Sequence, residues 1–180
     1  MPTILTHAAI PLAAGIGLGR RAVPKPLLLA GVIVSMLPDA DVVGFALGVP
    51  WGSAYAHRGF THSIAFAAAV ALAVACFFRT RMPLRRAIAF LFVAMASHGI
   101  LDAFTNGGSG IALLWPWTDE RFAAPVRVIE VSPIGIAPFF SARGLSVLAS
   151  ELWWVWLPCV VIATLLALIR SRYTRTFAVR

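Results

Sequence analysis

Apolar residues gather in five runs along the chain, and the polar residues between them cluster at the ends of those runs. The runs extend from about Ile4 to Gly19, Leu27 to Leu37, Ile64 to Phe78, Ala87 to Leu101 and Leu152 to Ile169. An apolar helix needs about 20 residues to cross a bilayer. By that measure the first two runs are short, either a tilted hairpin or a partly re-entrant pair. The third and fourth are borderline, and the fifth is the best single span. Pro24 and Pro26 precede the second run, where a helix start tolerates proline. Between the fourth and fifth runs, Asp102 to Glu151 is rich in Gly, Pro and Trp and lacks a helical period. Within it, Arg127 to Ser132 alternates weakly, as a short strand does. The expected fold class is all-α: a polytopic membrane helical bundle of about five apolar segments with a long irregular outer loop, in one domain over residues 1–180.

Composition places this pattern in a membrane. The chain is 60% hydrophobic and 12% charged, with a mean hydropathy of +0.87. Soluble domains hold roughly 45–50% apolar and about 25% charged residues. A net charge of +8 invites a nucleic-acid reading, but the basic residues sit beside apolar runs, which is how membrane proteins are oriented. No nucleic-acid partner is therefore expected. Cys76 and Cys159 lie inside apolar runs and form no CxxC, so packing is their expected role. A signal peptide puts its positive charge before its apolar stretch. Here Arg20, Arg21 and Lys25 follow the first run, so Ala8 to Gly19 reads as part of a retained membrane segment.

Charge also orients the bundle. Arg20, Arg21 and Lys25 join the first two runs; Arg79, Arg81, Arg85 and Arg86 join the third and fourth; Arg170, Arg172, Arg175 and Arg180 follow the fifth. These hold 11 of the 15 basic residues and no acid, whereas all seven acids and all four histidines lie on the other side. Cytoplasmic loops are enriched in Lys and Arg. The expected arrangement is N-terminus out and C-terminus in, with the polar clusters on the extracytoplasmic side. Trp153, Trp154 and Trp156 at the start of the fifth run agree, since indoles favour the headgroup region.

Those polar clusters carry the candidate chemistry. They are His7; Pro38-Asp39-Ala40-Asp41; His57-Arg58-Gly59-Phe60-Thr61-His62-Ser63; and Ser97-His98-Gly99-Ile100-Leu101-Asp102. Imidazoles and carboxylates together are the ligand set of zinc and related metals. His98 and Asp102, at i and i+4, share one helix face. Gly59 permits a tight turn that brings His57 and His62 into one site. One of Asp39 and Asp41 binds metal in this reading while the other orients a histidine. Taken singly, each cluster has a plainer account. The aspartates can form a turn, Arg58 can meet a lipid phosphate, and Thr61 and Ser63 can cap the third helix. Taken together, ionisable groups placed at membrane depth are costly and ordinarily functional.

The set Thr6-His7, Pro38-Asp39-x-Asp41, His57-Arg58-Gly59-x-Thr61-His62-Ser63 and Ser97-His98-x-x-Leu101-Asp102-x-x-Thr105 resembles the LexA-regulated, membrane-bound metal-dependent hydrolases of bacteria. Leu113 to Trp117, followed by Arg121 and Phe122, is also similar to that family, so the resemblance covers nearly the whole chain. It implies a metal enzyme of the bacterial inner membrane and supplies no substrate. The HxxxD element is similar, by spacing alone, to one in zinc-dependent phospholipases C.

The resulting expectation is metal-assisted hydrolysis with one or more zinc ions. His57, His62, His98 and Asp102 serve as ligands, and His7, Asp39 and Asp41 complete a second site or an outer shell. Asp39 or Asp41 acts as general base. Arg58 holds a substrate phosphate. The substrate is a lipid or lipid-linked molecule, and the loop from Gly107 to Ser150 forms a lid or mouth. The alternatives are a metal transporter or sensor, which would place its ligands near the midplane on repeated, broken helices, and a non-catalytic membrane protein binding headgroups.

Overall fold

The structure is a computed structural model that describes residues 1–133 and 136–178, with side chains described for 1–133 and 137–173. Arg175 and Arg180, which entered the charge balance above, have side chains outside that set. Five apolar helices occupy the five runs. They are α1 (Ile4–Leu18), α2 (Lys25–Ala46), α3 (Ile64–Phe78), α4 (Leu84–Ala103) and α5 (Ala142–Tyr173).

Three of them, α2, α4 and α5, rather than five, are long and apolar enough to cross a membrane. The expectation that the first two runs are short holds for α1 and fails for α2. After Met36 the chain tightens into a 3-10 segment, Leu37–Val42, and continues as helix over Val43–Ala46. The Pro-Asp-Ala-Asp sequence that breaks the apolar pattern therefore lies inside a helical element. The short partner is α3. Ser63 fixes its start by accepting a hydrogen bond from the Phe66 N–H at 3.1 Å, as an N-cap residue does, and Arg79 and Thr80 follow its last turn.

The fifth helix begins ten residues before its apolar run. Ala142–Glu151 is helical, Leu152–Trp156 forms a π turn, and Leu157–Ala178 continues it. The irregular loop is correspondingly shorter. Among the described residues it holds no strand, so the alternation at Arg127 to Ser132 does not become one. Two isolated bridges, Thr105 with Ile129 and Ile111 with Phe122, pin the loop beneath the helix ends.

The packing explains how short helices stay in register. Ala67, Ala71 and Ala75, spaced by four on α3, are buried against Ala87, Leu91 and Ala94 of α4, with Leu27 and Val34 of α2 completing the core. Small residues let membrane helices approach closely where no hydrophobic driving force separates lipid from protein. Outside this core α5 exposes Val160, Val161, Ile162, Leu165, Leu168 and Ile169. That surface suits acyl chains and would be an aggregation hazard in water. The helices run as two hairpins, α1–α2 and α3–α4, plus α5. Each hairpin carries its basic turn at one end and its histidines and aspartates at the other.

Candidate metal centre

Four buried residues from three elements converge where the hairpins open. Asp39 comes from the 3-10 segment of α2, His62 from the turn before α3, and His98 and Asp102 from the last turns of α4. Each offers one ligand atom, and the four atoms lie within 4.8 Å of one another. The approach of α4 to the His62 turn depends on Gly99. A Cβ there would sit 2.6 Å from the His62 carbonyl oxygen, too close for any side chain. The i, i+4 spacing puts His98 and Asp102 on one face of α4, as the sequence suggests, and both approach His62 Nε2.

Hydrogen bonding fixes which way the imidazoles present their lone pairs. His98 Nδ1 lies 2.7 Å from the Ser35 carbonyl oxygen, which can only accept, so Nδ1 carries the proton. His62 Nδ1 faces Thr61 Oγ1 at 3.0 Å and Asp41 Oδ2 at 3.3 Å; the Thr61 hydroxyl donates to that same Oδ2 at 2.6 Å, so His62 Nδ1 is again the donor. The two Nε2 atoms face each other at 3.1 Å. Asp39 Oδ1 is 3.3 Å from His98 Nε2, and Asp102 Oδ2 is 3.5 Å from His62 Nε2. No oxygen of Asp39 or Asp102 has a hydrogen-bond partner of ordinary geometry, although Arg58 Nε approaches Asp102 Oδ2 at 3.2 Å as an ion pair.

Buried polar atoms are almost always satisfied. Here two carboxylates and two opposed ring nitrogens gather at one point with only Arg58 ion-paired to them, an arrangement that favours a further positive charge. Burial works to lower the His62 pKa, but the Asp102, Asp39 and Asp41 carboxylates around the ring outweigh it and raise it to about 10. The donor set, two imidazole nitrogens and two carboxylates, also fits a zinc-like divalent ion.

The remaining expected ligands take other positions. His7 is fully buried and stacks on His98 with ring centroids 3.6 Å apart. Its Nε2 is 3.7 Å from Asp39 Oδ2 and 3.8 Å from Asp102 Oδ1, and neither ring nitrogen is hydrogen-bonded. It borders the cluster. Asp41, His57 and His62 form a second group with metal-ligand spacing. That group is closed by its own bonds, since His57 Nδ1 meets Asp41 Oδ1 at 2.6 Å. Asp41 thus orients two histidines, and its oxygens are not open to act as a base. Thr61 serves this network rather than capping α3.

Arg58 adopts φ 66°, a left-handed conformation unusual outside glycine. A Cβ on Gly59 would come 2.1 Å from the Ala54 carbonyl oxygen, so Gly59 is needed for space while Arg58 makes the turn. The Arg58 side chain is buried and occupied. Besides Asp102, it donates to the Gly107 carbonyl at 2.8 Å and to Thr105 Oγ1 at 2.8 Å. Its arrangement is that of a residue holding Asp102 and the loop, in contrast to the free substrate clamp expected from sequence. A cavity of about 140 Å³ opens beside it, lined by Trp51, His57, Arg58, Ser109, Val131 and Ser132. Of the loop expected to form a lid or mouth, Gly108, Ser109, Val131 and Ser132 line this cavity. Ala142 to Ser150, expected in the lid, belongs to α5.

Sequence reasoning missed Glu151. It is buried and accepts hydrogen bonds from Thr3 N–H, from Thr3 Oγ1 at 2.8 Å and from Thr6 Oγ1 at 2.8 Å, while Trp156 Nε1 donates to Thr6 Oγ1 at 3.0 Å. These bonds tie the start of α1, and with it His7, to α5. An acid directly before an apolar run was the available signal.

Fold and site together define a helical integral membrane protein with a buried histidine–aspartate cluster at the open end of two hairpins. The chain belongs to the YdjM inner membrane protein family, whose model matches residues 1–175. It is similar to "Inner membrane protein YbcI" of Escherichia coli (strain K12), with 48% identity over 168 residues, covering 92% of this chain and 97% of that protein. It is also similar to "Uncharacterized protein YvsG" of Bacillus subtilis (strain 168), with 34% identity over 102 residues, covering 52% of this chain and 60% of that protein. No solved structure matches.

Proposed function

We propose that the protein is a metal-dependent hydrolase of the bacterial inner membrane that acts on a lipid or lipid-linked ester or phosphoester at the extracytoplasmic face. One observation carries this reading: the carboxylates of Asp39 and Asp102, which lack hydrogen-bond partners of ordinary geometry, and the opposed Nε2 atoms of His62 and His98 gather at one point, and the cluster's neighbours His57 and Arg58 line a cavity. Those four residues would hold a zinc-like ion, with His7 at the border of the site. Such an ion would supply Lewis acidity toward a phosphoryl or acyl oxygen and toward water.

The chain's own residues do the rest. Asp41 fixes the His57 ring through Nδ1, which leaves Nε2 without that partner, and the ring lines the cavity, so His57 is placed to exchange a proton with a bound substrate. Arg58 positions Asp102 and shapes the cavity wall through Gly107. Trp51 and Val131 offer apolar walls for a lipid. The basic turns at the opposite ends of both hairpins support the extracytoplasmic placement.

The test is turnover. Protein reconstituted in mixed micelles is given a panel of phospholipids and lipid-linked phosphates, and release of phosphate, headgroup or fatty acid is followed. Turnover that depends on divalent metal and is lost in Asp39→Asn is expected. Metal-loaded, folded protein with no turnover of any member overturns the hydrolase reading.

A further inference from the structure

We propose that the groove at the closed end of the α1–α2 hairpin binds an anionic phospholipid. This groove encloses about 360 Å³ and is separate from the metal centre. Helix α1 runs between them, about 15 Å of rise from His7 to its C-terminal turn. Ile16, Val23 and Leu28 form its wall, and Arg20, Lys25 and Arg170 form its rim. Arg170 reaches across from α5 and donates to the carbonyl oxygens of Ile16 and Gly17. It thereby caps α1 and closes one side of the groove. Arg20 and Lys25 are exposed.

Charge complementarity identifies the occupant. The sequence carries no Asp or Glu before Asp39 and none after Glu151, so every acidic side chain of α1, α2 and α5 belongs to the far end of the bundle. A headgroup phosphate brought to the rim meets guanidinium and ammonium donors. Ile16 is 60% exposed and, with Leu28, gives an acyl chain an apolar track leading from that rim. Inorganic phosphate would use the rim alone. A zwitterionic lipid brings its own cation into a basic site. Basic pockets between helices near the membrane surface have the electrostatics that retain anionic lipids.

The experiment measures thermal unfolding of the full chain in neutral detergent with phosphatidylglycerol, phosphatidylcholine or inorganic phosphate. A ligand that binds only the folded state raises Tm, and saturating phosphatidylglycerol is expected to raise it by roughly 5–10 °C. The double variant Arg20→Gln/Lys25→Gln should lose that shift. Arg79→Gln/Arg81→Gln, which removes the same charge from the other basic turn, should keep it. Equal shifts from phosphatidylcholine, a shift reproduced by inorganic phosphate, or equal loss in both double variants overturns the site. Wild-type protein gives an independent arm that needs no variant to fold. A photoreactive phosphatidylglycerol should cross-link within residues 15–28, and cross-linking confined to other segments contradicts the proposal.

Discussion

Replacing Asp41 by asparagine separates a residue that orients ligands from one that binds metal. One carboxylate oxygen of Asp41 accepts from His57 Nδ1 at 2.6 Å. The other accepts from Thr61 Oγ1 at 2.6 Å and lies 3.3 Å from His62 Nδ1. An asparagine keeps one accepting oxygen and turns the other into a donor, so either His57 or the Thr61–His62 pair faces a donor. It also removes the negative charge behind His62, which lowers the basicity of the Nε2 that points into the cluster. Losing such an outer partner ordinarily weakens metal binding by about 10–100-fold, or roughly 1.4–2.7 kcal/mol. Asp39→Asn, by contrast, removes a carboxylate that has no other partner and should abolish measurable binding. The assay is a zinc titration against a chromophoric chelator for wild type and both variants, with thermal unfolding to establish that each is folded. If Asp41→Asn loses metal as completely as Asp39→Asn, Asp41 is itself a ligand and the reasoning from its closed hydrogen bonds is refuted.

Three further outcomes are expected. Gly99→Ala forces α4 away from the His62 carbonyl; overpacking of this kind costs about 1–3 kcal/mol, and the variant should show a lower Tm and weaker metal binding together. Metal uptake should release protons, because His62 in the metal-free protein keeps its proton up to about 10 and a ligand must be deprotonated. At pH 7.5 about one proton per ion is expected from His62, measured with an indicator in weak buffer, and affinity should rise with pH until that pKa is passed. With Cys76 and Cys159 replaced, a cysteine at Ser109 should react with an impermeant thiol reagent in spheroplasts and one at Thr80 only after lysis; the reverse pattern overturns the orientation.

The hairpins and the ends at which their chemistry gathers were legible because apolar runs, basic turns and acidic ends sort cleanly along this chain. Boundaries were less legible where polar residues sit inside helices. Asp39 and Asp41 end the second run when read by hydropathy, yet a 3-10 segment carries the helix through them. Arg143, Ser146 and Glu151 hid the first turns of α5 in the same way. The ligand set was readable as a set, but its division was not. Asp39 joins the central four while Asp41 stands behind two histidines, and adjacent identical side chains carry no sign of that difference. The role of Gly59 was read as conformational and is one of space, which depends on the Ala54 carbonyl folding back over it.

The most direct measurement is the metal content of the wild-type protein purified in detergent without chelators, determined by inductively coupled plasma mass spectrometry beside the His98→Ala variant. The account predicts close to one equivalent of zinc or a similar divalent ion per folded wild-type chain and a large loss in His98→Ala, which removes one of the two opposed nitrogens. A folded wild-type chain that takes up no divalent ion, even when dialysed against zinc, or full occupancy in folded His98→Ala, would contradict it.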